Sequence, residues 1–377
     1  MDNGWELNLD KELFLAKHWQ QKPLLIPQAI THFSPPIDSN ELAGLALEDD
    51  VEARIIDTID NDWRLTHGPF SESDYQRDHP WTLLVQAVDQ YIPKVAQLRK
   101  LVDFIPQWRV DDIMVSYATD GGSVGPHFDH YDVFLLQGEG QRLWKTGQFC
   151  DADSPLVEHD SLRILREFET DAEYLLGPGD MLYIPPGIAH WGISQGECST
   201  FSIGFRAPRV NEMVSRFVDA LLERQEPDDF YHDARLEPVS RPGEIRARDL
   251  ERVNAQIQAA LDQTETNHWF GELVTEPRYD SHPDEDEIAF ARESLDNDGG
   301  KVVLNSAAKL AWQHEADSLL VFANGDSRAF SDSILPLQIT LCDNWQLSNE
   351  DMARAMSEPE SRRWIDFLLE SGCVFLP

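Results

Sequence analysis

The spacing of apolar positions changes character twice along the chain. Near the start, DKELFLAKHWQQKP predicts a helix that begins at Asp10 and stops at Pro23. NELAGLALEDD predicts a second short helix, and PWTLLVQAVDQYIPKVAQLRKLV a third, so residues 1–100 read as mixed helix and strand. From about Asp111 to Ala207 the pattern becomes short apolar runs broken by Gly and Pro: DIMVSYA, YDVFLLQ, QRLWKTG, EYLLGPGDMLYIPPG and STFSIGF. Short strands at close spacing with turn signals predict an all-β sandwich or barrel.

At Asn211 the period returns to that of a helix. NEMVSRFVDALLERQ sets Met213, Val214, Phe217, Val218, Leu221 and Leu222 on one stripe, with Asn211 as the expected N-cap. GEIRARDLERVNAQIQAALD is a second amphipathic helix. The two fit an intramolecular bundle or a dimer seam equally well. SHPDEDEIAFARESLDNDGG reads as a linker, because residues 284–300 hold seven acids against one base. In the tail, DSLLVFANGDSRAF predicts a hairpin with an Asn-Gly-Asp turn. Helices are expected at SILPLQITLCDNW, SNEDMARAM and SRRWIDFLLES, a mixture that fits a winged-helix shape.

Composition narrows the partners. The 377 residues are 41% hydrophobic, enough for two or three domain cores. They carry 31 basic against 68 acidic residues, a net charge of −37. That disfavours phosphate backbones and anionic lipid. It fits either a surface adapted to salt or a face that attracts a basic partner. The tail is also acidic, with six basic against eleven acidic residues in 301–377, so it does not read as DNA-binding. The scattered cysteines (Cys150, Cys198, Cys342, Cys373) show no CxxC and fit a reducing cytosol. The N-terminal stretch lacks a signal-peptide pattern, and no apolar run approaches the roughly 20 residues that span a bilayer. A soluble, cytoplasmic protein is expected.

The stretch VGPHFDHYDVF carries the chemistry. On a strand, residues i and i+2 face the same way, so His127, Asp129 and Tyr131 share one side and His130 faces solvent. A neutral imidazole beside a carboxylate supplies two ligands of a facial triad suited to non-haem Fe(II). GPGDMLYIPPGIAHWG supplies a third, His190, where a new strand should begin. The competing reading pairs His127 with Asp129 and leaves His190 capping a turn.

Such a centre has room for 2-oxoglutarate, whose far carboxylate needs a buried cation. Arg142 in GQRLWKTG matches a carboxylate with its planar fork; Lys145 falls on the other face of that strand. On DIMVSYA, alternation places Asp112, Met114 and Ser116 on one face. Ser116 is then available to the co-substrate, and Asp112, roughly 13 Å away at about 3.3 Å per residue, to a substrate.

The chain resembles the bacterial ribosomal oxygenases of the Jumonji-C type in the cupin superfamily. The resemblance rests on FLAKHWQQKPLL, NELAGLA, HGPF, WTLLVQAV, WRVDDIMVS, GGSVGPHFDHYDVFLLQGEGQR, GPGDMLYIPPGIAHWG and FSIGFRAP. It implies an α+β protein: a double-stranded β-helix (cupin/Jumonji-C barrel) over 1–208, a helical dimerisation region over 209–282 and a winged-helix-like domain over 283–377. It implies an Fe(II)- and 2-oxoglutarate-dependent dioxygenase, using O2, that hydroxylates C3 of an arginine in large-subunit ribosomal protein sixteen. Carried over position by position, His127, Asp129 and His190 are the catalytic metal ligands. Ser116 and Arg142 hold the co-substrate, and Asp112, Tyr131 and Ser202 (in TFSIGF) hold the substrate arginine.

One departure is visible. Gln141-Arg142-Leu143 is less basic than the family pattern, which leaves Arg142 as the one arginine there. The expected partners are a basic ribosomal protein and a second copy of the chain, with no direct nucleic acid and no membrane. Opposite net charges would raise the on-rate more than the affinity. Two alternatives stay open: a histidine hydroxylase or demethylase of another basic protein, and a non-catalytic metal-binding cupin scaffold. A carboxylate at Asp112 favours a guanidinium over an imidazole.

Overall fold

The computed structural model describes residues 4–59, 62–159, 161–225, 230–262, 268–279, 282–298, 300–315 and 317–377. The first helix starts as its sequence predicts. The Leu13 amide donates to the Asp10 carboxylate at 3.0 Å, and α1 (Lys11–Lys17) follows, ending at His18 well before Pro23. After β1 (Leu24–Ile26) comes α2 (Ser39–Leu45), closed by a reciprocal Asp38–Glu41 capping box. Next are β2 (Ala53–Ile59) and β3 (Asp62–His67).

The expected third helix is a strand. Trp81–Val85 forms β4, buried at all five positions between β2 and β5 (Val110–Ala118). A strand covered on both faces shows no alternation, so its apolar run imitates a helix. Only two single turns, α3 (Val88–Tyr91) and α4 (Pro93–Ala96), are α-helical in the rest of that stretch.

The chain continues through β6 (Val133–Gln137), β7 (Gln141–Phe149), β8 (Thr170–Leu176), β9 (Met181–Ile184), β10 (Ile188–Gln195) and β11 (Cys198–Phe205). They build two antiparallel sheets. The larger has strand order β1-β9-β6-β11-β5-β4-β2-β3 and the smaller β10-β7-β8. This is the double-stranded β-helix.

Alternation assigns the two faces of the large sheet. Ile113, Val115, Phe134, Tyr183 and Phe201 join Phe14, Leu42 and Leu98 in the main core, away from the small sheet. Phe14 meets Tyr183 edge-on at 4.8 Å. Fully buried side chains of this size contribute about 1.5–3 kcal/mol each. On the other face, Val133, Leu135, Leu182 and Ile184 pack against Trp144 and Leu176 of the small sheet. Asp112 and Ser116, buried and on that same inward side of β5, are polar exceptions in an apolar setting.

The chain divides into two compact units, residues 1–207 with 305–307, and residues 208–304 with 308–377. In the second, α5 (Val210–Leu222) begins one residue before Asn211, with Arg209 rather than Asn211 at the N-cap. Its apolar face splits. Phe217 meets Trp269 of α7 (His268–Thr275) at 6.0 Å, while Val210, Val214, Val218 and Leu222 stay exposed. In α6 (Ala247–Asp262), Leu250, Val253 and Ile257 are exposed too.

The acidic stretch expected as a linker is helical, forming α8 (Glu285–Asp298); Ser281 and Gly299 at its margins lie outside the described residues. Leu295 is buried in the C-terminal core, and Arg292 pairs with Asp366 and Glu370. The acids occupy its solvated side, so charge density alone misleads there. The remaining elements are β12 (Val302–Leu304), β13 (Leu310–Glu315), β14 (Ser318–Ala323), β15 (Asp326–Phe330), α9 (Leu335–Asn344), β16 (Gln346–Leu347), α10 (Asn349–Ser357), α11 (Pro359–Glu370) and β17 (Val374–Phe375). The β14–β15 turn places Asn324 and Gly325 at positive φ, as a two-residue Asn-Gly hairpin requires.

Candidate metal and co-substrate site

His127 and Asp129 lie in the β5–β6 connection, not on a regular strand as their spacing suggested. A single antiparallel bridge joins His127 to His190 of β10. The His127 amide donates to the His190 carbonyl at 3.0 Å, and the His190 amide returns to the His127 carbonyl at 2.8 Å. The Gly187 amide donates to the Asp129 carbonyl at 2.8 Å. Phe128 turns the opposite way into a small apolar cluster, and His130 is exposed. Local pairing therefore supplies the i, i+2 geometry that a full strand would.

One ligand-type atom from each of His127, Asp129 and His190 lies within 4.8 Å of the others. His190 Nε2 is 3.5 Å from Asp129 Oδ2, and the two imidazoles are 4.2 Å apart. His127 Nδ1 lies 2.9 Å from the Gly125 carbonyl and His190 Nδ1 3.0 Å from the Ile188 carbonyl. A carbonyl only accepts, so both Nδ1 atoms carry hydrogen and both Nε2 lone pairs are free. That is the tautomer a metal-binding histidine needs. The chemistry fits a divalent ion with open positions. Gly125, at φ +81°, supplies the carbonyl that orients His127; a side chain there would run into Trp63 and Ile164.

Arg142 lies on the inward face of β7. Lys145 faces the other way and pairs with Glu173 at 2.9 Å. Arg142 is 5% exposed. Its Nη1 donates to Ser116 Oγ at 3.3 Å and its Nε to Cys198 Sγ at 3.4 Å, but its Nη2 is buried with no partner. The indole of Trp144 lies 5.7 Å from the guanidinium and 6.0 Å from the His190 ring, linking cation to triad; its Nε1 is likewise buried and unpartnered. Gly192 makes room for that indole, since a side chain there would strike it. Unmet buried donors are costly unless a ligand supplies the acceptor. A carboxylate fits here.

Residues 97–213 match the JmjC domain, and residues 255–374 the ROXA-like winged helix. The ribosomal protein uL16 3-hydroxylase of Escherichia coli is 33% identical across 98% of this chain and 99% of its own length. The chain belongs to the JmjC ribosomal oxygenases. Another relative in the family, a probable ribosomal oxygenase of Haemophilus influenzae, is 33% identical over 97% of this chain and 94% of its own. The X-ray structure of Escherichia coli YcfD superposes with a TM-score of 0.86 at 32% identity, covering 99% of this chain and all of that one. A YcfD structure in complex with cobalt and 2-oxoglutarate gives 0.83 at 32% identity, covering 98% and 99% of the two chains.

Of the remaining residues expected from the resemblance to this family, Tyr131 lies within the influence of Asp129, while Asp112 and Ser202 are buried on the inward face of the large sheet. Tyr131 is 42% exposed, yet its phenol lies against carboxylates. Its pKa is pushed well above the usual range by the Asp129 charge first, then by burial and by Asp112. Ser202, buried on β11, sits opposite Met114 and Leu135 on the same inward face. Asp112 accepts the Gln86 side-chain amide at 2.7 Å. Gln86, Trp144 and Cys198 were missed by sequence reasoning. Trp144 had a signal, since it lies two residues from Arg142 on the same strand face. Gln86 had none, because its segment was read as helix.

Burial, with the neighbouring His127, depresses the His190 pKa to about 4. In metal-free protein the folded state therefore binds fewer protons than the unfolded chain between about pH 6.5 and pH 4. Stability is full above that window and falls as pH drops through it, by about 3 kcal/mol in all. Melting of chelator-treated protein across that range should show the fall, and His190→Asn should flatten it.

Proposed function

We propose that this chain is an Fe(II)- and 2-oxoglutarate-dependent protein hydroxylase that acts at C3 of an arginine in ribosomal protein uL16. The observation that carries the proposal is the convergence of two Nε2 lone pairs and a carboxylate beside a buried guanidinium with an unmet donor. In this reading His127, Asp129 and His190 hold the iron, and Arg142 and Ser116 take the far carboxylate of 2-oxoglutarate. The chemistry supplied when iron and 2-oxoglutarate are bound is oxidative decarboxylation to succinate and CO2, coupled to hydroxylation of a C–H bond by O2.

The protein's part is position and dryness. The backbone carbonyls of Gly125 and Ile188 keep each imidazole in one tautomer and one orientation. The inter-sheet packing of Leu135, Leu182, Ile184 and Trp144 excludes water from the co-substrate end. Asp112, steered by the Gln86 amide, receives the substrate guanidinium as a charge-assisted pair. Tyr131, whose phenol is influenced by both Asp129 and Asp112, is the second group assigned to the substrate. Ser202 offers a further hydroxyl on the same wall.

The exposed apolar residues of α5 and α6 support a homodimer built on those helices. The acidic charge supports attraction of a basic ribosomal protein, and a cytoplasmic location follows from that substrate. The co-substrate, metal and substrate roles are tested together by incubating the protein with iron, 2-oxoglutarate and uL16. Succinate and a +16 Da arginine in the digest are expected. A +16 Da histidine, a lost methyl group, or binding without succinate would each replace the reading. Asp112→Asn should raise the KM for the protein substrate about 30-fold or more, while uncoupled 2-oxoglutarate consumption persists.

A further inference from the structure

We infer that Cys198 is a positioning residue for the co-substrate: its sulfur pins the Arg142 guanidinium without neutralising it. The inference rests on the assignment of Arg142 to 2-oxoglutarate. Cys198 is 1% exposed at the start of β11, and Ser194 on β10 is the cross-strand neighbour of Arg142. The Arg142 stem therefore lies beside both. Its Nε donates to Cys198 Sγ at 3.4 Å, and Ser194 Oγ lies 3.0 Å from the same sulfur.

The Ser194 hydroxyl sits among three acceptors, the Gly196 and Ala118 carbonyls and the Cys198 sulfur. The Cys198 sulfur thus accepts from the Ser194 hydroxyl and, with a second lone pair, from Arg142 Nε. The guanidinium is planar, so fixing Nε and Nη1 also fixes the unpartnered Nη2.

The choice of acceptor matters. A carboxylate at this place would form a buried ion pair and compete with the incoming co-substrate for the same fork. A thiol is a weak acceptor that sets direction and leaves the positive charge for the ligand. The second contact, to Ser116, is also an uncharged hydroxyl. Arg142 is thus held on two sides by neutral groups, with its charge unspent.

The test is a calorimetric titration of 2-oxoglutarate into Mn(II)-loaded protein without O2, so that binding is read with no turnover. Wild type should bind. Cys198→Ala should weaken binding about tenfold, with Mn(II) affinity unchanged, because it removes one hydrogen bond to a charged group. Cys198→Ser keeps a neutral acceptor and should recover most of the loss. Cys198→Asp should bind more than about a hundredfold more weakly, since its carboxylate occupies the fork. Melting curves of all three report folding separately. Equal affinity of wild type and a folded Cys198→Ala would overturn the role of Cys198 and leave the hydroxylase reading standing. Failure of wild type to bind 2-oxoglutarate at all would sink both.

Discussion

His190→Ala is expected to yield a folded protein that no longer retains iron and forms no succinate above background. The imidazole is one of three groups that meet around a single point, and its ring is preset by the Ile188 carbonyl. With it gone, His127 and Asp129 remain as two ligands on one short loop, which is too few for a stable centre with open positions. Metal-ion catalysis is worth several kcal/mol, so turnover falls at least about a thousandfold. Metal analysis of dialysed protein, set beside a succinate assay at saturating 2-oxoglutarate, checks this. Retention of iron with full turnover would remove His190 from the centre. Because the His190 side chain is buried and neutral in the fold, the exchange leaves a cavity but no stranded charge, and the sheets should remain intact.

Arg142→Met is the second large effect. It keeps the length of the side chain between the sheets and removes the cation. Two charge-assisted hydrogen bonds to the co-substrate are lost, each worth about 1.5–3 kcal/mol, so the KM for 2-oxoglutarate should rise at least a hundredfold, on the order of that sum. Metal retention should be unchanged, which separates this variant from His190→Ala. Arg142→Lys restores charge but not the planar fork, and recovers only part of the affinity. A KM within about threefold of wild type for Arg142→Met would mean that the far carboxylate is bound elsewhere.

Much of this architecture is legible in the residues, for identifiable reasons. The inward face of β5 could be read because Ile113 and Val115 pack in the main core on its far side, so alternation sets Asp112, Met114 and Ser116 together on the near one. His127, Asp129 and His190 could be brought together on paper because two extended segments, each bounded by Gly and Pro, were close enough to strands for the period-two rule to hold. It held although the backbone there has only one bridge to β10. β4 was illegible because burial on both sides erases alternation. The acidic helix α8 was illegible because its charges advertise solvent while Leu295 and Ala291 do the packing. Gln86, in the same misread stretch as β4, and Cys198 stayed hidden for a further reason. Each matters through a partner far away in sequence, Asp112 and Arg142, and no local pattern announces such a pair.

Gly125 carries a lesson about where control over the metal resides. It has no functional group, yet its carbonyl sets the pose of His127, and Trp63 and Ile164 leave it no room for even a methyl. Part of the orientation of a metal-ligating imidazole is thus delegated to main-chain geometry, guarded by two bulky neighbours outside the triad. A survey of affinity determinants confined to side chains would overlook it, and a laboratory-evolved change at either neighbour would act on the centre by loosening that guard.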